Sequence, residues 1–202
     1  MTDPTIIFDL GGVLVRHDND LLFDRLAACC PDPQAARPHM EAWLHAEDVG
    51  TGRLGVEALH QRLAAEHGFN AAYPRFLELW NSHFSPEPGM EPLVRSLAAP
   101  YRVVIFSNTN AAHIDHIRDL YPAFGHAHTA YLSYELGLVK PDPASYRRVL
   151  ELERRAPQDC IFIDDRADNT AAAAALGMKT VTFTGVDSFL AAMAGHGVRI
   201  ER

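Results

Sequence analysis

Thr5-Ile6-Ile7-Phe8-Asp9-Leu10-Gly11-Gly12 opens with four apolar or β-branched residues and breaks at an aspartate followed by two glycines. A run this short, without polar alternation, reads as a strand buried on both faces that ends in a turn. Three further segments repeat the pattern: residues 102–106 end at Ser107-Asn108, residues 160–163 at Asp164-Asp165, and residues 179–183 at Thr184-Gly185. Helical spacing follows each, over 111–120, 169–176 and 186–194. Another strand is expected at 128–132, and a helix at 142–153 with Pro143 in its first turn, where the missing N–H is no loss. Strand and helix in alternation predict an α/β fold, a Rossmann-like, mostly parallel sheet flanked by helices.

The stretch from 19 to 84 is of another kind. Apolar residues recur at helical spacing at Leu22, Phe23 and Leu26, at Met40, Trp43 and Leu44, at Val56, Leu59 and Leu63, and at Phe76, Leu77 and Trp80. Pro31-Asp32-Pro33, Gly50-Thr51-Gly52 and Gly68 punctuate it, and no strand-like run interrupts it. The pattern predicts a small all-helical cap domain over residues 17–86, inserted into an α/β core made of residues 1–16 and 87–202. Its aromatic and aliphatic stripes are read as packing.

With 202 residues, 48% hydrophobic and 22% charged, the chain can bury one ample core or a core plus a small accessory domain. Its 18 basic and 26 acidic residues give a net charge of −8, which disfavours nucleic acid and anionic membranes as partners. The basic pairs Arg147-Arg148 and Arg154-Arg155 fall on a polar helix face and form no patch. No apolar run approaches the roughly 20 residues of a membrane span, and the first residues have neither the basic nor the apolar region of a secretion signal. Adjacent Cys29 and Cys30, and Cys160 in an apolar run, suit a reducing compartment. A cytoplasmic location is expected.

Ligands of open parallel sheets bind beyond the carboxyl ends of the strands. The residues placed there are Asp9, Gly11, Ser107, Asn108, Asp164 and Asp165, with Lys140 in the loop before the 142–153 helix. Singly, each has a plainer reading: Asp9 and the glycines as a turn, Asp164-Asp165 as a helix cap, Lys140 as a solvated side chain. Together they supply what phosphoryl transfer to a carboxylate requires. Two unit negative charges at about 4 Å repel by roughly 4 kcal/mol at an effective dielectric near 20, so the site needs positive charge. A hard divalent cation such as Mg2+, held by carboxylates, and a lysine both provide it.

The four segments Phe8-Asp9-Leu10-Gly11-Gly12-Val13-Leu14, Val104-Ile105-Phe106-Ser107-Asn108-Thr109-Asn110, Lys140-Pro141-Asp142-Pro143 and Ile163-Asp164-Asp165-Arg166-Ala167-Asp168-Asn169 resemble, in order and spacing, the motifs of the haloacid dehalogenase superfamily of aspartate-nucleophile phosphatases. The helical insert lies where that superfamily has its C1 cap. Within it, the first, second and fourth segments look most like those of bacterial α-D-glucose-1-phosphate phosphatases. The resemblance implies a magnesium-dependent phosphatase acting on a small phosphorylated metabolite, a sugar phosphate such as glucose 1-phosphate; it implies no particular oligomeric state. It makes Asp9 the nucleophile, Ser107 with the backbone amides near Asn108 the holders of the phosphoryl oxygens, and Lys140 the partner of both Asp9 and phosphate. Mg2+ would be held by Asp9, Asp165 and the Gly11 carbonyl, Asp164 would orient Lys140 or the waters around the metal, and Asn169 stands where relatives often carry a second acid.

One position departs from the superfamily pattern. Its phosphatases usually carry a second aspartate two residues after the nucleophile, where this chain has Gly11. The carbonyl is retained and the acid-base side chain is lost, a group typically worth about 10²- to 10⁴-fold. His17 and Asp18, just beyond the motif where the chain should fold over the site, are the candidates to replace it. Without a replacement, aryl and anomeric phosphates should react faster than primary alkyl phosphates. Gly11 also keeps open a catalytically silent, phospho-ligand-binding regulator, while Asp164-Asp165 tells against a metal-free 2-haloacid dehalogenase. His113 and His116 share a helix face and read as a surface pair sooner than as metal ligands.

Overall fold

The computed structural model describes residues 3–44 and 46–200. Five strands, β1 (Thr5–Phe8), β4 (Arg102–Ser107), β5 (Thr129–Leu132), β6 (Cys160–Asp164) and β7 (Lys179–Thr182), form a parallel sheet in the order β5-β4-β1-β6-β7. β1 is central, with Ile7 opposite Val104 on one side and Phe162 on the other. Successive strand residues point to opposite faces, and both faces are covered. Ile6, Phe8, Val103, Ile105, Ile161 and Ile163 pack on one side, against α6 (Met90–Ala98), α7 (Ala111–Leu120) and α12 (Val186–Gly195). Ile7, Val104, Phe106 and Phe162 pack on the other, against α10 (Pro143–Glu153) and α11 (Ala167–Ala175). Two-sided burial explains why these strands read as unbroken apolar runs. Each fully buried Ile or Phe contributes about 1.5–3 kcal/mol of transfer free energy.

A separate apolar cluster, including Leu22, Phe23, Leu26, Leu59, Leu63, Phe76 and Trp80, is built by α1 (Asn19–Ala27), α2 (Pro33–Leu44), α3 (Glu47–Gly50), α4 (Val56–His67) and α5 (Tyr73–Trp80). This is the helical cap of the expected architecture. Asp18 caps α1, accepting from the amide of Leu21 at 2.9 Å, and Gly68 ends α4 in the left-handed conformation at φ 63°.

A small antiparallel pair, β2 (Val15–His17) and β3 (Phe84–Pro86), lies where the helical insert leaves and rejoins the core. The sequence gives no sign of it. Each strand has three residues, Arg16 and His17 are exposed, and β3 ends in a proline, so neither periodicity nor propensity marks them. Two single-turn helices, α8 (Pro122–Gly125) and α9 (Ser133–Leu136), were likewise unmarked. α11 starts at Ala167, two residues before the expected 169, while Asp142 is the N-cap of α10, accepting from Ala144 N at 2.8 Å.

Candidate active site

β1, β4 and β6 end side by side, so their terminal residues converge. The Asp9 amide donates to Ile163 O at 2.8 Å, extending the ladder past β1 and bringing Asp9 beside Asp164. Lys140 arrives from the loop before α10. Its Nζ lies 2.9 Å from Asp9 Oδ1 and 2.6 Å from Asp164 Oδ2, and the side chain is 1% exposed. The ammonium also stands 5.3 Å from the ring centres of Phe106 and Phe162, which gives it favourable aromatic faces in place of water.

Asn108 holds this lysine in place. Its Nδ2 donates to Lys140 O at 2.8 Å and its Oδ1 accepts from Lys140 N at 2.9 Å. The Asn108 carboxamide is thereby engaged with the backbone of another loop, a role that nothing in the sequence signals. Ser107, buried at the end of β4, lines the cavity above Asp9.

Asp164 is fully buried and accepts from Lys140 Nζ, from the Arg166 amide at 2.9 Å and from Asn169 Nδ2 at 3.0 Å to each oxygen. Asp165 is exposed to the cavity. Asp9, Asp164 and Asp165 each offer an oxygen within 4.8 Å of the others. Burial pushes the Asp9 carboxyl up to about 7, with Lys140 opposing and Asp164 adding to the rise. Asp165 is raised by burial and then by the charge of Asp164. Burial disfavours charge on Lys140, but Asp9 and Asp164 outweigh it and hold the lysine above its ordinary range.

Gly12 lets Asp165 come this close. Its φ is +74°, and a Cβ there would lie 2.2 Å from Asp165 Oδ2. At Gly11, a Cβ would meet His17 Nδ1 at 3.3 Å and Cε1 at 3.5 Å. Of the two residues expected to enter the site, His17 lines the cavity above Asp9. Asp18 does not: its carboxylate caps α1 and lines the neighbouring concavity. His113 is no surface residue; it is buried, accepts from Asn110 Nδ2 at Nδ1 and is pushed well below its ordinary value by desolvation. Among the described residues, the three aspartates are the one group with metal-ligand spacing.

The cavity has a volume of about 760 Å³ and is lined in part by Leu44, Glu47, Val49 and Gly50 of the helical segment. Ser133 ties that segment down: its Oγ accepts from Thr109 N at 3.0 Å and donates to Gly50 O at 2.5 Å. These cap residues were absent from the sequence-based site because helical periodicity reports which face is apolar, not what lies opposite it.

Residues 4–177 match the haloacid dehalogenase-like hydrolases. The chain belongs to that family. A chloroplast flavin mononucleotide hydrolase of Arabidopsis thaliana is 31% identical over 202 residues, spanning 98% of this chain and 79% of its own. The D-ribitol-5-phosphate phosphatase of Bacteroides thetaiotaomicron is 25% identical over 186 residues, 87% of this chain and 89% of its own. A haloacid dehalogenase-family enzyme of the same bacterium, solved with magnesium and inorganic phosphate, superposes with a TM-score of 0.79 at 23% identity, over 91% of this chain and 96% of that one. No described helix of this haloacid dehalogenase-like hydrolase is long and apolar enough to cross a membrane.

The donor set suits a hard cation. It is all oxygen, and Asn169, while donating to Asp164, leaves its own Oδ1 buried without a protein partner, an acceptor suited to the waters such a cation carries. Asp9, Asp164 and Asp165 would hold such an ion, whose positive charge would favour their ionised forms.

Proposed function

We propose that the protein is a magnesium-dependent phosphomonoesterase that hydrolyses a small phosphorylated metabolite through an aspartyl phosphate on Asp9. The observation that carries this reading is the way Asp9 is held. Lys140 Nζ and the Leu10 amide, at 2.9 and 2.7 Å, both bind Oδ1. The carboxylate is thus anchored by one oxygen, and Asp9 lines the same cavity as Ser107 and Lys140. Magnesium held by Asp9 and Asp165 would supply positive charge against the phosphoryl oxygens. Ser107 would donate to those oxygens, Lys140 would offset the charge of the incoming phosphate, and Asp164 with Asn108 would keep Lys140 in place. The acidic pair Asp164-Asp165 favours this over carbon-centred dehalogenation.

For the substrate we favour a primary phosphate ester of a polyol. D-ribitol 5-phosphate and flavin mononucleotide, named in the two curated relatives, end in the same ribityl 5-phosphate group. A cavity of about 760 Å³ is of the size that holds small organic ligands, roughly 300–1,000 Å³. The motif resemblance supports glucose 1-phosphate as the second reading. Release of phosphate from D-ribitol 5-phosphate, flavin mononucleotide and glucose 1-phosphate, with magnesium and with excess chelator, tests both. Magnesium-dependent turnover that Asp9→Asn abolishes supports the reading; turnover that survives the substitution removes it.

A further inference from the structure

We propose that His17 is the general acid and base of this site, donating a proton to the leaving oxygen and later drawing one from the attacking water. The inference rests on the phosphomonoesterase reading above. A primary alkoxide is a poor leaving group, so cleavage of such an ester needs a proton donor near the nucleophile.

The residues around Asp9 narrow the choice. Lys140 is buried between two carboxylates, and Asp165 belongs to the acidic cluster. Glu47 is engaged by Arg53 at 2.9 Å. His83 and His113 line the cavity but are buried, and desolvation depresses both, His83 to about 4, so neither carries a spare proton near neutrality. His17 remains, an exposed imidazole in the same cavity.

The backbone puts it there by a specific route. After Asp9 the chain turns back on itself, with Gly12 N donating to Val15 O at 2.8 Å and Val15 N to Leu10 O at 3.0 Å. β2 then runs past Gly11 and is held by β3, with His17 opposite Phe84 and the Asp18 amide donating to His83 O at 3.0 Å. The Nδ1–Cε1 edge of His17 consequently stands 3.3–3.5 Å from where a side chain on residue 11 would begin, and apart from the two chain neighbours no other described residue comes within 4 Å of that point. The imidazole edge therefore crowds the space that a side chain at position 11, two residues past the nucleophile, would enter.

In the first step an Asp9 oxygen bonds to phosphorus as the bond to the ester oxygen breaks; the electron pair goes to that oxygen and the imidazolium proton follows, releasing the alcohol. In the second, the neutral imidazole takes a proton from water as the water oxygen bonds to phosphorus. The Asp9–phosphorus bond breaks with its pair returning to the carboxylate, and phosphate leaves.

The test compares kcat of the full chain, at one pH and saturating magnesium, for D-ribitol 5-phosphate and for p-nitrophenyl phosphate, whose leaving group needs no proton. His17→Gln and His17→Asn should lower kcat for the alkyl ester by about 10²- to 10⁴-fold and for the aryl ester by less than about tenfold. Retained aryl turnover also certifies the fold. Equal losses on both esters would assign His17 a structural role only, and no loss would assign it none; either overturns the proposal. A wild-type protein that cleaves the aryl but not the alkyl ester would overturn it too, leaving the phosphomonoesterase reading intact. Absence of wild-type turnover on every ester, by contrast, would remove that reading and this inference with it.

Discussion

The Asn108 carboxamide and the Lys140 peptide form a closed pair of hydrogen bonds, 2.8 Å from Nδ2 to the lysine carbonyl and 2.9 Å from the lysine amide to Oδ1. A side chain is here completing the backbone hydrogen bonding of another loop, 32 residues away. The loop would otherwise bring a long, flexible lysine to the site with no fixed origin. Asn108→Ala removes two bonds of about 1 kcal/mol each, and the rate should fall by roughly thirtyfold through kcat, with KM little changed. A variant that changed KM alone would place Asn108 on the substrate instead.

Lys140→Met leaves Asp9 and Asp164 facing each other without their shared cation. Removing one member of a buried ion pair typically costs about 3–5 kcal/mol. Urea unfolding should show a loss of that order at neutral pH in chelator, together with loss of phosphate release. An unchanged urea midpoint would mean that the two carboxylates are already neutral without the lysine.

Gly12→Ala should damage the metal site while sparing the sheet. The new Cβ would fall 2.2 Å from Asp165 Oδ2, and the φ of +74° disfavours any side chain. The magnesium concentration for half-maximal turnover should rise by more than about tenfold. If it does not move, Asp165 is not a metal ligand.

His83 gives the fold a pH dependence. Desolvation first, and then the nearby charge of His17, hold it at about 4 against an ordinary 6.5; the Trp80 carbonyl and Asp18 oppose the shift, and His116 adds to it. Between those values the unfolded chain binds a proton that the folded chain does not, so this contribution is complete above pH 6.5 and is lost as the pH falls towards 4. Its size is about 3 kcal/mol at 1.36 kcal/mol per unit. Asp9, raised by burial, works in the opposite sense over an overlapping range. The informative quantity is therefore the difference between wild type and His83→Phe, whose stability should fall less on going from pH 7 to pH 5. Parallel curves would refute the assignment.

The sheet was legible in the sequence because its strands are buried on both faces: Ile6, Ile7 and Phe8 read as a strand without any knowledge of their neighbours. The convergence of Asp9, Ser107 and Asp164 followed from the rule that parallel strands end on one side. What could not be read were contacts made by long-range geometry. Nothing in Asn108 announces that it will bond to the backbone of Lys140, and nothing in Val15–His17 announces a strand. The choice between His17 and Asp18 was equally hidden, since adjacent residues on a turn point in different directions. Only the β2–β3 pairing and the start of α1 settle which one faces Gly11.

Everything proposed for this site depends on Asp9 carrying the phosphoryl group. The most direct measurement is rapid acid quenching of the protein with magnesium and substrate, followed by mass spectrometry of the peptide containing Asp9. One phosphoryl adduct is expected on that residue, formed and consumed at rates compatible with turnover and missing in Asp9→Asn, which should release no phosphate. Full turnover by Asp9→Asn, or turnover of the wild type with no adduct at any quench time, would contradict it.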